Sequence, residues 1–228
     1  SEDGMKASLG EAAARYLEYT IKDGNIVGVS MGSTLFEVVS HVVHPAAQKV
    51  TFVPLVGGVG RVRMELHANS LAESLSRIYD GKFVPLHAPA RVSSRNIRDE
   101  LLKEDSLLPA IYLTQKLDIA VVGIGYPNEK SAIMATGYFK ENEIESLIDR
   151  KVAGELCMQF YDIYGDTAPY KDDNNVIGMD ISMLRSVPRS IGIAGGVEKL
   201  RAVRGAINGH YINTLITDIE CAEALISE

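Results

Sequence analysis

The sequence predicts an α/β fold, a mostly parallel sheet flanked by helices. Three observations point there. Short apolar runs alternate with helical segments of ten or more residues, the pattern of successive βαβ units. Several of those runs end in glycine-bearing turns. The chain has 228 residues, 46% of them hydrophobic and 23% charged, which is enough for one buried core and too apolar for a disordered segment. No internal repeat and no linker rich in Pro, Ser or charge divides it, so residues 1–228 read as one domain.

Each element follows from local pattern. Leu9, Ala13, Leu17 and Ile21 recur every four residues, one face of a helix over 5–21 that closes at Gly24. Asn25 to Val29 is a short buried strand, and 35–43 returns to helix until Pro45. The β-branched run Lys49 to Val56 is a strand. It is followed by the turn Gly57-Gly58-Val59-Gly60 and by a helix with Leu71, Leu75 and Ile78 in register. Lys82 to Leu86 is another strand, and 94–117 forms two helices broken near Pro109. Asp118 to Ile124 is an unbroken apolar run bounded by Gly125, the signature of a central parallel strand. Beyond it come a helix at 141–150, a strand-like stretch at 154–163 and a turn at Gly165-Asp166. The chain ends with a strand at 189–194, a helix at 197–208, a strand at 212–217 and a helix at 219–227.

Composition excludes several classes. The formal net charge of -7 argues against this chain gripping a phosphate backbone by itself. No stretch approaches the ~18 apolar residues of a membrane span and no signal peptide opens the sequence, so the cytoplasm is the expected location. Cys157 and Cys221 have neither disulfide nor zinc spacing and read as two buried thiols. His41, His44, His87 and His210 form no metal motif, and no cofactor signature is present: there is no Walker A sequence, no G-x-S-x-G elbow and no complete G-x-G-x-x-G.

Ligands of open parallel sheets bind beyond the carboxyl ends of the strands. Four glycine-bearing segments lie there: 28–34, 56–60, 123–125 and 194–199. In the first, Ser33 and Thr34 start a helix. They either cap it or, with the amides of Gly32 to Thr34, receive a phosphate; both uses draw on the same donors. Lys199 follows Gly195-Gly196 in the first turn of a helix, where a cation opposes the macrodipole and an anionic ligand would offset it. The competing reading is a solvated lysine balanced by Glu198. Glu155 could accept hydrogen bonds from sugar hydroxyls, although a solvated turn glutamate is the plainer reading. Asp218 could do the same or cap the last helix. His67 and Asn69 could reach the same edge, and a lone helical histidine is more often structural. Three arginines in 91–98 could meet an anion or simply open a solvated helix.

Taken in order, GVSMGSTL (28–35), PLVGGVG (54–60), LHAN (66–69), PLHAPA (85–90), DIAVVGIG (118–125), GYF (137–139), GEL (154–156), FYD (160–162), YGD (164–166), IGIAGGVEKLRAV (191–203) and INTLITD (212–218) resemble the sugar-binding domain of SorC-type bacterial transcriptional regulators over nearly the whole chain. The resemblance implies a sugar-phosphate isomerase-like, Rossmann-like three-layer sandwich. It also implies a phosphorylated sugar as ligand, a homodimer or homotetramer, and operator DNA bound by an N-terminal helix-turn-helix absent from this sequence. By motif, Gly32, Ser33 and Thr34 cradle the phosphate, the turn at Gly57 and Gly58 borders the ligand, Lys199 contacts it, Glu155 meets sugar hydroxyls and His67 faces it. One position departs from relatives. Val56 stands where deoxyribose-phosphate regulators have a Schiff-base lysine and glycolytic-gene regulators an arginine, so neither an imine nor a bisphosphate is expected by that route.

The expected function is ligand sensing, without catalysis. A sugar-phosphate isomerase or deaminase on the same scaffold is the alternative, and it needs a base such as Glu155 or Asp218 with a partner such as His67. A CoA transferase-type protein would need a nucleophilic carboxylate in a glycine-rich loop, and none of the four loops clearly offers one.

Overall fold

The computed structural model describes residues 2–43, 45–60, 63–128 and 136–227, so His44 lies outside the described residues. Six strands form one wholly parallel sheet in the order β3-β2-β1-β4-β7-β8. They are β1 (Ile26–Val29), β2 (Thr51–Pro54), β3 (Lys82–Phe83), β4 (Ile119–Gly123), β7 (Arg189–Ile193) and β8 (Thr214–Ile216). The register places Val27 beside both Phe52 and Ile119, and Val121 beside Ile191.

Alternation along the strands divides the core in two. Val27, Val29, Ile119, Val121, Ile191 and Ile193 pack on one face. Helices α1 (Glu2–Thr20), α2 (Ser33–His41) and most of α3 (Ala68–Ile78) cover that side. Val53, Ala120 and Val122 face the other way, under α5 (Leu108–Thr114), α6 (Glu141–Asp149), α7 (Leu200–Asn208) and α8 (Ile219–Ser227), while α4 (Arg95–Leu101) lies at the margin. The three expected layers are present. Gly28 has no side chain because a Cβ there would stand 2.4 Å from Leu55 and 2.8 Å from Leu117. Both cysteines are free and buried, as their surroundings implied.

Three local departures from the sequence reading have physical causes. The strand predicted over 82–86 stops after Phe83, because Pro85 has no N–H to pair and the Asn69 side chain takes both the N–H and the C=O of Leu86 at 3.0 Å. The helix predicted from 197 opens as a single 3₁₀ turn, Val197–Lys199. The stretch 154–163 is no sheet strand but a hairpin, β5 (Gly154–Leu156) and β6 (Gln159–Tyr161), joined by Cys157 and Met158 at φ 51° and 62°. Two consecutive left-handed residues make the turn a primed hairpin type, which sequence normally announces with Asn-Gly.

Candidate functional site

The strand order reverses between β1 and β4, and the loops leaving those strands diverge to open a crevice there. Ser30, just past β1, ties the two strand ends together: its N–H donates to the Val121 carbonyl at 3.0 Å, and its Oγ accepts the Gly123 N–H at 3.1 Å. Gly32 then takes φ 122°, ψ 168°, open only to glycine, and becomes the N-cap of α2. No side chain caps this helix, so Ser33 and Thr34 stand inside its first turn and the capping reading falls away. The first bond of the turn runs from the Phe36 N–H to the Gly32 carbonyl, ahead of which the amides of the first helical residues have no intrahelical acceptor. The Gly32 N–H is not among the available donors, since it binds the Leu66 carbonyl at 3.0 Å. That bond places His67, the N-cap of α3, beside the loop.

The hairpin reaches the crevice through one antiparallel bridge. Gly125 and Glu155 exchange N–H···O=C bonds of 3.0 and 2.9 Å, which hangs β5 on the end of β4. The half-buried Glu155 carboxylate accepts the Met158 N–H at 2.9 Å and occupies the space a side chain on Gly125 would need, since a Cβ there would lie 1.9 Å from Oε1. Burial pushes the Glu155 pKa from 4.5 up to about 7, against the opposing pull of the Met158 N–H and the Lys199 charge. Burial, with the Glu155 charge, pushes the Cys157 thiol up as well.

The Lys199 charge acts on the Glu155 carboxylate from 44 residues further along the sequence, although Lys199, like Ser33, Thr34 and His67, is not among the residues that line the crevice. Lys199 follows the glycine turn after β7. The Gly196 N–H, at φ 95°, donates to Asp218 Oδ2 at 2.6 Å, and Asp218 Oδ1 accepts the Cys221 N–H at 3.0 Å. Burial alone would raise the Asp218 pKa, but these backbone donors outweigh it and the net shift is downward. Asp218 therefore caps α8 and pins the glycine turn; it is poorly suited to act as a base.

The resulting crevice encloses about 360 Å³ including its mouth. Ser30, Gly32, Thr136 and Glu155 give it a polar lining, and Met31, Cys157 and Met158 an apolar one. Ser30, Thr136 and the Cys157-Met158 turn were missed in the sequence reading. Ser30 sat in a loop already singled out, whereas Thr136 and the turn carry no sequence signal.

The amides of Gly57 and Gly58, predicted to border the ligand, are used within the fold. The Gly57 N–H binds the Ile177 carbonyl at 2.9 Å and the Gly58 N–H binds the Ala88 carbonyl at 2.8 Å. Gly57 is glycine because a Cβ would stand 2.5 Å from the Ala88 oxygen and 2.7 Å from that of Pro89. Asn69 is spent on Leu86. Arg91 is likewise internal, stacked 4.2 Å from the Phe139 ring centroid and bonded to the Tyr138 carbonyl at 2.7 Å. Among the described residues no group of three or more His, Cys, Asp or Glu could hold a metal, and no helix is long and apolar enough to cross a membrane.

An all-parallel sheet with a small, partly apolar crevice at its switch point, one that carries a carboxylate, is the arrangement in which open α/β folds bind small ligands. The comparisons carry this further. The family model described as "Putative sugar-binding domain" matches residues 1–227, and the chain belongs to that family. It is 27% identical to the Deoxyribonucleoside regulator of Bacillus subtilis and 28% identical to the Sorbitol operon regulator of Klebsiella pneumoniae, in each case over 99% of this chain and 72% of the relative. Among solved structures it resembles the probable sor operon regulator of Shigella flexneri, with TM-score 0.91, 29% identity, and 99% and 90% of the two chains covered. It is therefore a sugar-binding domain of the kind found in SorC-type transcriptional regulators, as the sequence motifs implied.

Proposed function

We propose that this domain is the effector sensor of a cytoplasmic regulator of carbohydrate metabolism and that its ligand is a phosphorylated sugar. The observation that carries the reading is a small crevice at the switch point of the sheet, lined by the N-cap glycine of α2 and by the Glu155 carboxylate, with the Lys199 charge acting on that carboxylate. The phosphate sits against the amides and hydroxyls of Ser33 and Thr34, where the helix dipole favours negative charge, with Lys199 as counter-ion. The sugar hydroxyls reach Glu155 and Ser30, and His67 borders the ligand. Ligand binding changes the association of subunits in a homodimer or homotetramer and so alters the grip of a separate helix-turn-helix domain on operator DNA. That switch requires unequal affinity for the two states.

One specific observation supports a second reading. A carboxyl whose pKa is about 7 is poised for proton abstraction, as a sugar-phosphate isomerase requires. Among the described residues, the crevice lining holds no second carboxyl and no histidine beside it, which favours the sensor.

Thermal unfolding with a panel of phosphorylated sugars, their dephosphorylated counterparts and free phosphate tests the proposal. A ligand at about 100 times its Kd adds about 2.7 kcal/mol, roughly 5–11 °C for a chain of this size. Lys199→Ala removes a charge-assisted contact and should weaken the responding ligand by about ten-fold or more. An undiminished response in the variant refutes the assignment of Lys199, and turnover of the ligand in the same tubes establishes the enzyme instead.

A further inference from the structure

A second cavity, of about 560 Å³ with its open mouth included, shares the β5–β6 hairpin but no lining residue with the first. Arg95 and Arg98 of α4 stand on one wall, and Thr167, Lys171 and Asp180 come from the long segment between β6 and β7. Gln159, the first residue of β6, forms part of its lining. Its amide is immobilised, with Nε2 donating to the Met179 carbonyl at 2.8 Å and Oε1 accepting the Ile181 N–H at 3.3 Å.

The cations here are under-compensated. Arg98 is mostly covered, its side chain 18% exposed, and it is held in place by an Nε–H bond of 3.0 Å to the Val176 carbonyl. One Nη donates to Asp99 at 3.0 Å, and the other has no acceptor among the described residues. Arg95 reaches only the same Asp99, at 4.0 Å. Lys171 is exposed and forms no ion pair among the described residues. The Asp180 carboxylate is partly occupied by the Ser182 N–H at 2.9 Å. A guanidinium fixed through its Nε, with donors left over and a second guanidinium and an ammonium on the same cavity, matches a compact oxyanion that accepts several hydrogen bonds at once.

We infer that this cavity is a second ligand site, one that takes a phosphoryl group, supplied either as free phosphate or by a small phosphorylated metabolite. The fork of Arg98 makes the directional contact, while Arg95 and Lys171 supply charge and the Thr167 hydroxyl a neutral donor. The site is independent of the sensor assignment, because none of its residues belongs to the first crevice.

The test follows the Arg98 Nε–H signal by nitrogen-15 NMR while inorganic phosphate is added to the full chain, with chloride at equal ionic strength as control. Arg98→Gln removes the bond to Val176 and can disturb folding, so the diagnostic variant is Lys171→Glu, a change at an exposed side chain. The expected result is a saturable shift with phosphate only, unchanged in Lys199→Ala and weakened by about ten-fold or more in Lys171→Glu. A metabolite phosphate that saturates at lower concentration than inorganic phosphate identifies the metabolite as the ligand; equal affinities identify free phosphate. No saturable shift, an equal response to chloride, loss of the response in Lys199→Ala or its persistence in Lys171→Glu each overturns the inference. Loss in Lys199→Ala assigns the phosphate to the first crevice, so failure of this site stays distinct from failure of that one.

Discussion

Replacing Glu155 by Gln separates the electrostatic role of this carboxyl from its shape. The folded protein raises the Glu155 pKa from 4.5 to about 7, chiefly by burial, so between those values the folded state holds a proton that the unfolded state has released. The sign follows directly: the contribution is fully present below about pH 4.5 and is lost as pH rises through about 7. At 1.36 kcal/mol per pH unit the swing is up to about 3 kcal/mol. Glutamine is neutral throughout and keeps an oxygen for the Met158 N–H. Without ligand, Glu155→Gln and the parent should unfold alike near about pH 4, whereas near about pH 8 the variant should be more stable by up to about 3 kcal/mol, some 2–4 °C per kcal/mol. Urea or thermal unfolding of both proteins across that range measures it. A variant that loses stability at high pH, or a difference that ignores pH, refutes the claim that Glu155 is held against its charge. If the carboxylate serves sugar hydroxyls, the same stabilised variant should bind the effector more weakly.

Other outcomes follow from the same geometry. Gly57→Ala drives a Cβ into the backbone oxygens of Ala88 and Pro89, which cannot rotate away, and should lower stability by about 1–3 kcal/mol in urea unfolding. Asp218→Ala frees the Gly196 and Cys221 amides and should cost about 1–2 kcal/mol at neutral pH. Because the Asp218 pKa is lowered, that loss should fade as pH falls below 3.8, and parent and variant should converge in acid-unfolding curves.

The parallel sheet was legible because β4, its central strand, is buried on both faces and therefore reads as a continuous apolar run. A cation beside Gly195-Gly196 at a helix start is electrostatically anomalous, and that anomaly singles out Lys199 in the sequence. Glu155 was not legible: the sequence places an acidic residue after a glycine, and only the long-range bridge to Gly125 turns that residue into the crevice. The fates of Gly57 and Gly58 were hidden for the same reason, since their amides are consumed by Ile177 and Ala88. Nor could periodicity reveal the hairpin. Cys157 and Met158 adopt conformations that cost roughly 1–2 kcal/mol each, and the surrounding core, not local preference, imposes them.

The crevice is assembled from pieces spread along the chain, at Ser30–Gly32, Gly123, Thr136, Glu155 and Cys157–Met158. During synthesis β1 and β2 leave the ribosome early, yet β4, the strand that completes β1 on its other side, lies more than 85 residues further on. At about 5–20 residues per second the nascent domain spends roughly 4–15 s between the end of β3 and Met158, with half of its sheet made and no complete crevice. The crevice thus does not exist until the β5–β6 hairpin has been added. Ligand in the cell can select among finished domains, but it cannot rescue one that has gone astray before the last third of the chain arrives.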